Sequence, residues 1–145
     1  GAASPGAVVG VFWGAEYQDN SSGDVKFVRS IPNGTVAKAQ YKAYVYDDPN
    51  TLFKIQADQA STAVEAANVG ENLQIVASPS GSTITNKSGL VADSSTKATT
   101  NTFPLQLLGS AQDDLGYTSA GTTMDVLVRI NSHQHRTGAT GVTGI

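Results

Sequence analysis

The sequence predicts an all-β fold: a small antiparallel β-barrel or sandwich with one short helix and flexible termini. Short segments in which every second residue is apolar recur along the chain, and this is the period of a half-buried strand. Clusters of Gly, Pro, Asn and Asp separate these segments, and six to eight strands spaced in this way are typical of small barrels and sandwiches. Charged residues make up only 14% of the 145 residues, which argues against a charged disordered chain.

The strongest strand–turn–strand signal is QYKAYVYDDPNTLFKIQAD, residues 40–58. Its first half alternates apolar and polar side chains. Residues 47–50 then supply turn chemistry, with Asp at the turn start, Pro with a fixed φ, and Asn. In the second half Phe53, Ile55 and Ala57 share one face. This stretch predicts a β-hairpin whose second strand contributes to the core.

The remaining strands are predicted in order along the chain. They cover 8–17, 25–31, 72–77, 90–93, 103–108 and 123–130, with at most a short strand at 83–85. In the last of the longer segments Val126, Val128 and Ile130 alternate with polar and charged positions. We expect these three to pack against the core face of the predicted hairpin.

The chain is predicted to form one domain, because its length matches that of a single domain. A flexible arm is expected over 1–7, a single β domain over 8–132, and a flexible tail over 133–145, since both ends are rich in small residues. A short helix is predicted over 62–68, where Thr and Glu stand three residues apart as in a capping box.

The first strand carries an unusual glycine pattern. Trp13, Ala15 and Tyr17 occupy alternate positions and are assigned to one face, with Gly10 and Gly14 on the other. Two glycines on one face of a strand indicate the close approach of another backbone, or a β-bulge.

Composition argues against several functional classes. The formal net charge is −3, and the few Lys and Arg residues are scattered, so the basic face that phosphate neutralisation requires is lacking. The absence of cysteine removes disulfides, thiolate nucleophiles and Cys-based zinc sites. No apolar run approaches the length of a membrane span. We therefore expect no nucleic-acid partner and no membrane partner.

The acidic and histidine clusters do not predict a catalytic or metal site. In Asp47-Asp48 and Asp113-Asp114 the neighbouring side chains point apart on an extended strand, whereas general acid–base catalysis needs two groups that converge on one substrate. On a strand His133 and His135 would share a face, which makes metal binding geometrically possible, but two ligands do not complete a closed metal site. The sequence thus predicts no enzyme, no catalytic residue, no cofactor and no metal, and a turn-capping role for the first acidic pair.

Seven blocks of the chain, in the same order, resemble a family of small virion proteins of tailed bacteriophages. The blocks are GVFWGAEYQD (10–19), VKFVRSIPNGTVA (25–37), YVYDDPNTLFKIQAD (44–58), VGENLQIV (69–76), GSTITNKSGLVADSSTKATT (81–100), FPLQLLG (103–109) and DVLVRINSHQH (125–135). The resemblance covers most of the chain and rests on the order of the blocks. It implies a capsid decoration or cement protein on the exterior of the phage head, with no catalytic residues to carry over.

A decoration role implies the major capsid protein as partner, the virion surface as location, and a symmetric homo-oligomer, for which we expect a trimer. The candidate interface residues are Trp13, Tyr44, Tyr46, His133 and His135. The alternative is a receptor- or carbohydrate-binding module of a phage fibre or tail tip, which an exposed aromatic platform at Tyr44 and Tyr46 would favour. A third interpretation, a hydrolase of cell-wall sugar, would need two convergent carboxylates.

Overall fold

A computed structural model of the protein describes residues 7–19, 21–30, 41–78, 81–82, 88–111, 116–138 and 140–145. These residues form eight strands and one short 3₁₀ turn. The strands are β1 (Val11–Gln18), β2 (Val25–Val28), β3 (Tyr41–Tyr46), β4 (Leu52–Ala57), β5 (Asn72–Ala77), β6 (Leu90–Ala98), β7 (Leu105–Ser110) and β8 (Met124–Ile130). The predicted all-β fold class is confirmed.

Five strands close into a barrel in the order β4-β6-β5-β7-β8. Four of the neighbouring pairs are antiparallel. The fifth pair, β4 with β6, is parallel and is joined at Ala57 and Ala92. Of the two predicted architectures the chain adopts the barrel, and one of its contacts is parallel where the sequence predicted an antiparallel fold. Closure leaves these five strands without an open sheet edge.

The barrel interior is filled by apolar side chains from every barrel strand and from Val64. Its core cluster comprises Ala57, Val64, Leu73, Ala92, Leu105, Leu107, Met124, Val126 and Val128. In the β4–β8 pair Phe53 lies opposite Val128 and Ile55 lies opposite Val126. The predicted packing between these two strands is confirmed for Val126 and Val128, whereas Ile130 is buried opposite Leu105 of β7. Period-2 alternation therefore identified the buried faces of β4 and β8 correctly.

The other three strands form a separate antiparallel sheet in the order β2-β1-β3. The predicted hairpin between β3 and β4 is therefore wrong, although both strands exist. The turn between them is present: the Asn50 N–H donates to Asp48 Oδ1 over 2.8 Å, and the Thr51 N–H donates to the Asp48 carbonyl over 3.1 Å. This turn carries the chain from the sheet into the barrel. β3 and β4 therefore pair with strands that are distant in sequence, and not with each other.

The sheet and the barrel are tied together just before β1 and just after β8. The Val8 N–H donates to the Ser132 carbonyl over 2.7 Å, and the Gln134 N–H donates to the Val8 carbonyl over 2.9 Å. Val8 thereby forms a parallel bridge with His133. These bonds place the first residues of β1 against the end of the last barrel strand.

The predicted helix over 62–68 is reduced to a 3₁₀ turn at Ala66–Asn68. The capping contact also differs from the predicted one, because the Glu65 N–H donates to Asn68 Oδ1 over 2.9 Å. A segment of under two turns gains little from helix propagation, so a single tight turn is the physically reasonable outcome. The described part of the chain contains no helix with the length and hydrophobicity needed to span a bilayer.

The C-terminal residues 140–145 lie along the barrel. The Gly141 N–H donates to the Asn101 carbonyl over 2.8 Å, and the Gly144 N–H donates to the Thr99 carbonyl over 3.0 Å. A Cβ built at Gly144 would lie 3.0 Å from the Gly70 carbonyl oxygen, so glycine allows this close approach. The segment predicted as a flexible tail thus forms regular backbone contacts with the loop that follows β6.

Candidate functional site

The candidate site is one face of the three-stranded sheet, formed by Trp13, Phe27, Tyr44 and Tyr46. We call this set the aromatic face. One ring comes from β1, one from β2 and two from β3. The exposed fraction is 49% for Trp13, 50% for Phe27, 38% for Tyr44 and 51% for Tyr46. Large aromatic side chains usually bury most of their surface, so four half-exposed rings together are a feature that calls for an explanation.

A β-bulge in β1 places the indole on this face. Phe12 pairs with Val45 and Gly14 pairs with Tyr44, so the register shifts across Trp13. An extra residue in one strand bends it and re-aims its side chain. The predicted face, with Trp13 beside Ala15 and Tyr17, is therefore wrong, because Ala15 and Tyr17 are buried and the Trp13 ring lies with those of β2 and β3. The bulge itself was one of the two outcomes that the glycine pattern predicted.

The four rings contact one another in a continuous cluster. The Trp13 ring centroid lies 5.2 Å from that of Phe27, 6.3 Å from that of Tyr44 and 6.4 Å from that of Tyr46. Phe27 and Tyr44 are 5.9 Å apart. Tyr44 and Tyr46 stand nearly edge-on to the indole, at 86° and 66°. Such tilted pairs are the favoured geometry of packed aromatic rings, so the four rings stabilise one another.

Glycine makes room for this arrangement at two positions, Gly10 just before β1 and Gly14 within it. A Cβ built at Gly14 would lie 2.5 Å from the Phe27 ring, and one built at Gly10 would overlap the Tyr46 carbonyl oxygen. The close backbone approach that the sequence predicted is therefore confirmed at Gly10.

Replacing Gly10 with alanine is expected to lower the free energy of unfolding by about 1–3 kcal/mol, the usual cost of forcing extra volume into a filled site. Backbone atoms of Tyr46 would have to move, and the end of β3 would move with them. Thermal unfolding followed by circular dichroism measures the loss, and tryptophan emission reports the displacement of Tyr46 from Trp13. An unchanged melting temperature would contradict the close approach.

A small polar group borders the aromatic face. The Tyr44 hydroxyl donates to Glu16 Oε2 over 2.9 Å, and Lys42 Nζ lies 3.9 Å from Glu16 Oε1. The hydrogen bond to Glu16, together with the negative charge of that carboxylate, raises the pKa of Tyr44 above its ordinary value. The face thus carries one carboxylate and one ammonium group beside four aromatic rings.

The turn from β1 into β2 is held by Asp19. Its carboxylate accepts hydrogen bonds from the Lys26 ammonium group and from the Ser21 N–H and hydroxyl, the latter two over 2.9 and 2.6 Å. These bonds hold the pKa of Asp19 well below its usual range, and the bond from Lys26 has the largest effect. The bonds fix the turn that sets Phe27 opposite Glu16 in the sheet.

Tyr44 is expected to make a pH-dependent contribution to the stability of the fold. The hydrogen bond from Tyr44 to Glu16 raises the pKa of Tyr44 in the folded state. The stabilisation that this bond gives is therefore fully present below the ordinary tyrosine pKa of about 10, and it is lost as pH rises through the folded value. Replacing Glu16 with Gln should lower the pH at which Tyr44 ionises. Tyrosinate absorbance, with a Tyr44→Phe variant subtracted to isolate this residue, measures the change. An identical titration in both proteins would show that Glu16 has no influence on the hydroxyl.

The two histidines of the candidate interface differ in exposure. His133 is fully buried, whereas His135 is exposed, and their rings are 5.6 Å apart. His133 Nδ1 accepts a hydrogen bond from the His135 N–H over 3.1 Å. The imidazole of His133 therefore does not reach the surface. Among the described residues no three His, Cys, Asp or Glu side chains are grouped as a metal site requires.

The structure brings together three of the five residues that the sequence selected, namely Trp13, Tyr44 and Tyr46. Phe27 was missed. Its strand was predicted, but only the pairing of β2 with β1 shows that the ring lies beside Trp13. Asp48 accepts the turn hydrogen bond expected of a capping residue. The second acidic pair, at 113–114, lies outside the described residues.

Comparison with protein-family models, with curated protein sequences and with solved structures gave no significant match.

Proposed function

We propose that the protein is a structural component of a bacteriophage virion, a decoration or cement protein that binds the exterior of the head and stabilises the shell. The observation that carries the proposal is a sheet with exposed apolar side chains on both faces, attached to a closed barrel. Beyond the aromatic face, Phe12, Tyr41 and Val45 are also more than a third exposed. A small sheet needs a covered apolar face for stability, so this part of the fold is suited to an assembly.

The resemblance of the sequence blocks to small virion proteins selects the kind of assembly. It makes the major capsid protein the partner and the outer surface of the head the location. The barrel supplies a rigid body that can be displayed in many copies, and the sheet supplies apolar surface for contacts within the assembly. The proposal assigns the protein no catalytic role.

Cryo-electron microscopy of particles of the phage that encodes this chain tests the proposal directly. We expect density for the barrel at symmetry-related positions on the outside of the head. Heads that lack the protein should rupture at a lower temperature than complete heads, and adding the purified protein back should restore the difference. Absence from purified particles, or density at the tail tip alone, would contradict the decoration role.

The second candidate function is a receptor- or carbohydrate-binding module, and one observation favours it. Trp13, Tyr44, Val45 and Tyr46 line a shallow recess on the exposed sheet, and aromatic rings at a surface can stack on sugar rings. The steep angles between the indole and the two phenol rings argue against a flat stacking platform. We therefore rank this function second.

A glycan array distinguishes the two functions. Reproducible binding that is lost on replacing Trp13 with Ala, while a Leu90→Ala protein still binds, would support the receptor-binding role. Leu90 is a suitable control because it is exposed to a similar degree, 54%, but belongs to the barrel. Absence of binding across the array would leave the decoration role.

A further inference from the structure

The aromatic face presents a connected apolar surface to water. Aromatic residues bury about 150–250 Å² each when fully covered, so four half-exposed rings leave on the order of 400 Å² of connected apolar surface. Val11 and Val25 are exposed as well, and they are paired with Tyr46 and Gln18 in the same sheet. Patches of this size on soluble proteins are often interaction sites.

We propose that other copies of this chain cover the aromatic face, so that the aromatic faces of neighbouring subunits pack against one another about a rotation axis. The inference deepens the proposed structural role and rests on it, because it names the partner of one surface of the assembly. It leaves contact with the head shell to other surfaces of the protein.

The charges at the border of the face are self-complementary. Glu16 and Lys42 lie on the same face as Tyr44, and their side chains remain 33% and 76% exposed. Two copies that meet through this face can each offer Lys42 to the Glu16 carboxylate of the neighbour. A surface with a single sign of charge would repel its own copy, whereas this one does not.

The area is also sufficient for self-association. The rings of two facing copies remove on the order of 800 Å² from water, and the flanking valines and the polar border bring the contact above the roughly 1,000 Å² of a specific interface. Interfaces between identical subunits are more apolar than transient ones, which agrees with a face of four aromatic and two valine side chains.

Self-association would remove this patch from water before the protein meets a particle. Copies that cover one another's rings hide the patch as soon as they associate. A shell protein as the occupant would give no such protection in solution.

Trp13 is the single tryptophan of the chain, so fluorescence reports on this face alone. As the concentration of the full chain rises from about 0.1 to about 100 µM, we expect sedimentation equilibrium to show an oligomer. The Trp13 emission should shift to shorter wavelength and become less sensitive to acrylamide over the same range. The Tyr46→Lys variant should weaken association at least about tenfold, and Phe27→Lys on a different strand should do the same.

Leu90→Lys is the matched control, because Leu90 is exposed as much as Tyr46 but lies on the barrel. It should associate as the wild type does. Circular dichroism and thermal unfolding show whether Tyr46→Lys or Phe27→Lys fails to fold. If one of them does, the association of the other is the result that decides the test. A wild-type protein that is monomeric throughout, or an oligomer that both lysine variants leave intact, would overturn the inference.

The outcomes separate this inference from the proposed function. A monomer that binds heads through the aromatic face, and loses that binding in Tyr46→Lys, would overturn the inference and leave the decoration role standing. An oligomer that the lysine variants dissociate, but that is absent from the particle, would support the inference and overturn the decoration role. A monomeric chain that binds a glycan through Trp13 would overturn both.

Discussion

Replacing Leu107 with alanine is expected to lower the free energy of unfolding by about 2–5 kcal/mol. Leu107 lies at the centre of β7 with no exposed surface, packed among the barrel core residues. The substitution removes the three carbon atoms beyond Cβ, and the transfer free energy of those atoms is lost. It also leaves a cavity, which the residues around it in a closed barrel can fill only in part. Urea unfolding followed by circular dichroism measures the change.

Leu90→Ala provides the control for this prediction. The chemical change is the same, but Leu90 is 54% exposed at the start of β6, so its loss should cost much less, within about 0.5 kcal/mol. If both variants lost the same stability, or if Leu107→Ala unfolded like the wild type, the barrel interior would not be the main source of stability.

The barrel core could be predicted from the sequence because burial on one face imposes a period of two. In β8 the residues Met124, Val126, Val128 and Ile130 are buried while the residues between them are partly exposed. The same pattern identified Phe53 and Ile55 before any pairing was known. Alternation reports which face of a strand is covered, and it does so whatever the covering element is.

Pairing between strands that are far apart in sequence could not be predicted in the same way. The turn at 47–50 has the right chemistry for a chain reversal, and the reversal occurs, but turn residues do not specify which strands pair. β3 pairs with β1, and β4 pairs with β8. Each of these pairings joins segments that are far apart in sequence, and local patterns carry no information about such contacts.

The aromatic face was recognised only in part for a related reason. Simple alternation assigned Trp13 to the face of Ala15, and the bulge between Phe12 and Gly14 reverses that assignment. Gly10 and Gly14 were the local signal, since they indicated either a bulge or a close backbone approach, and both occur at this strand. Sequence alone does not locate the extra residue within the strand.

The path of the C-terminal residues could not be predicted from the sequence, because polar side chains hold this segment in place and leave no hydrophobic pattern. Asn131 is almost fully buried just after β8, and both the NH₂ group and the oxygen of its side-chain amide form hydrogen bonds. Its Nδ2 donates to the carbonyls of Asn101 at 3.3 Å, Phe103 at 3.1 Å and Val142 at 3.1 Å. Its Oδ1 accepts from the Val142 N–H over 2.8 Å. One amide therefore joins the barrel end, the β6–β7 loop and the C-terminal segment.

Replacing Asn131 with Asp is expected to cost about 3–5 kcal/mol of unfolding free energy at pH 7, as uncompensated buried charges do. The new carboxylate oxygen would face three carbonyl oxygens where an N–H donor now lies. Burial should raise the pKa of that carboxyl above its value in the unfolded chain, so the folded state binds the extra proton. The deficit should therefore shrink as pH falls towards about 4 and reach its full size above the folded pKa. Urea unfolding between pH 4 and pH 8 measures this loss of unfolding free energy.

Asn50→Asp, the same change at an exposed turn position, should show little loss of stability across that range. A pH-independent deficit in Asn131→Asp, or none at all, would mean that this amide does not hold the C-terminal segment to the barrel.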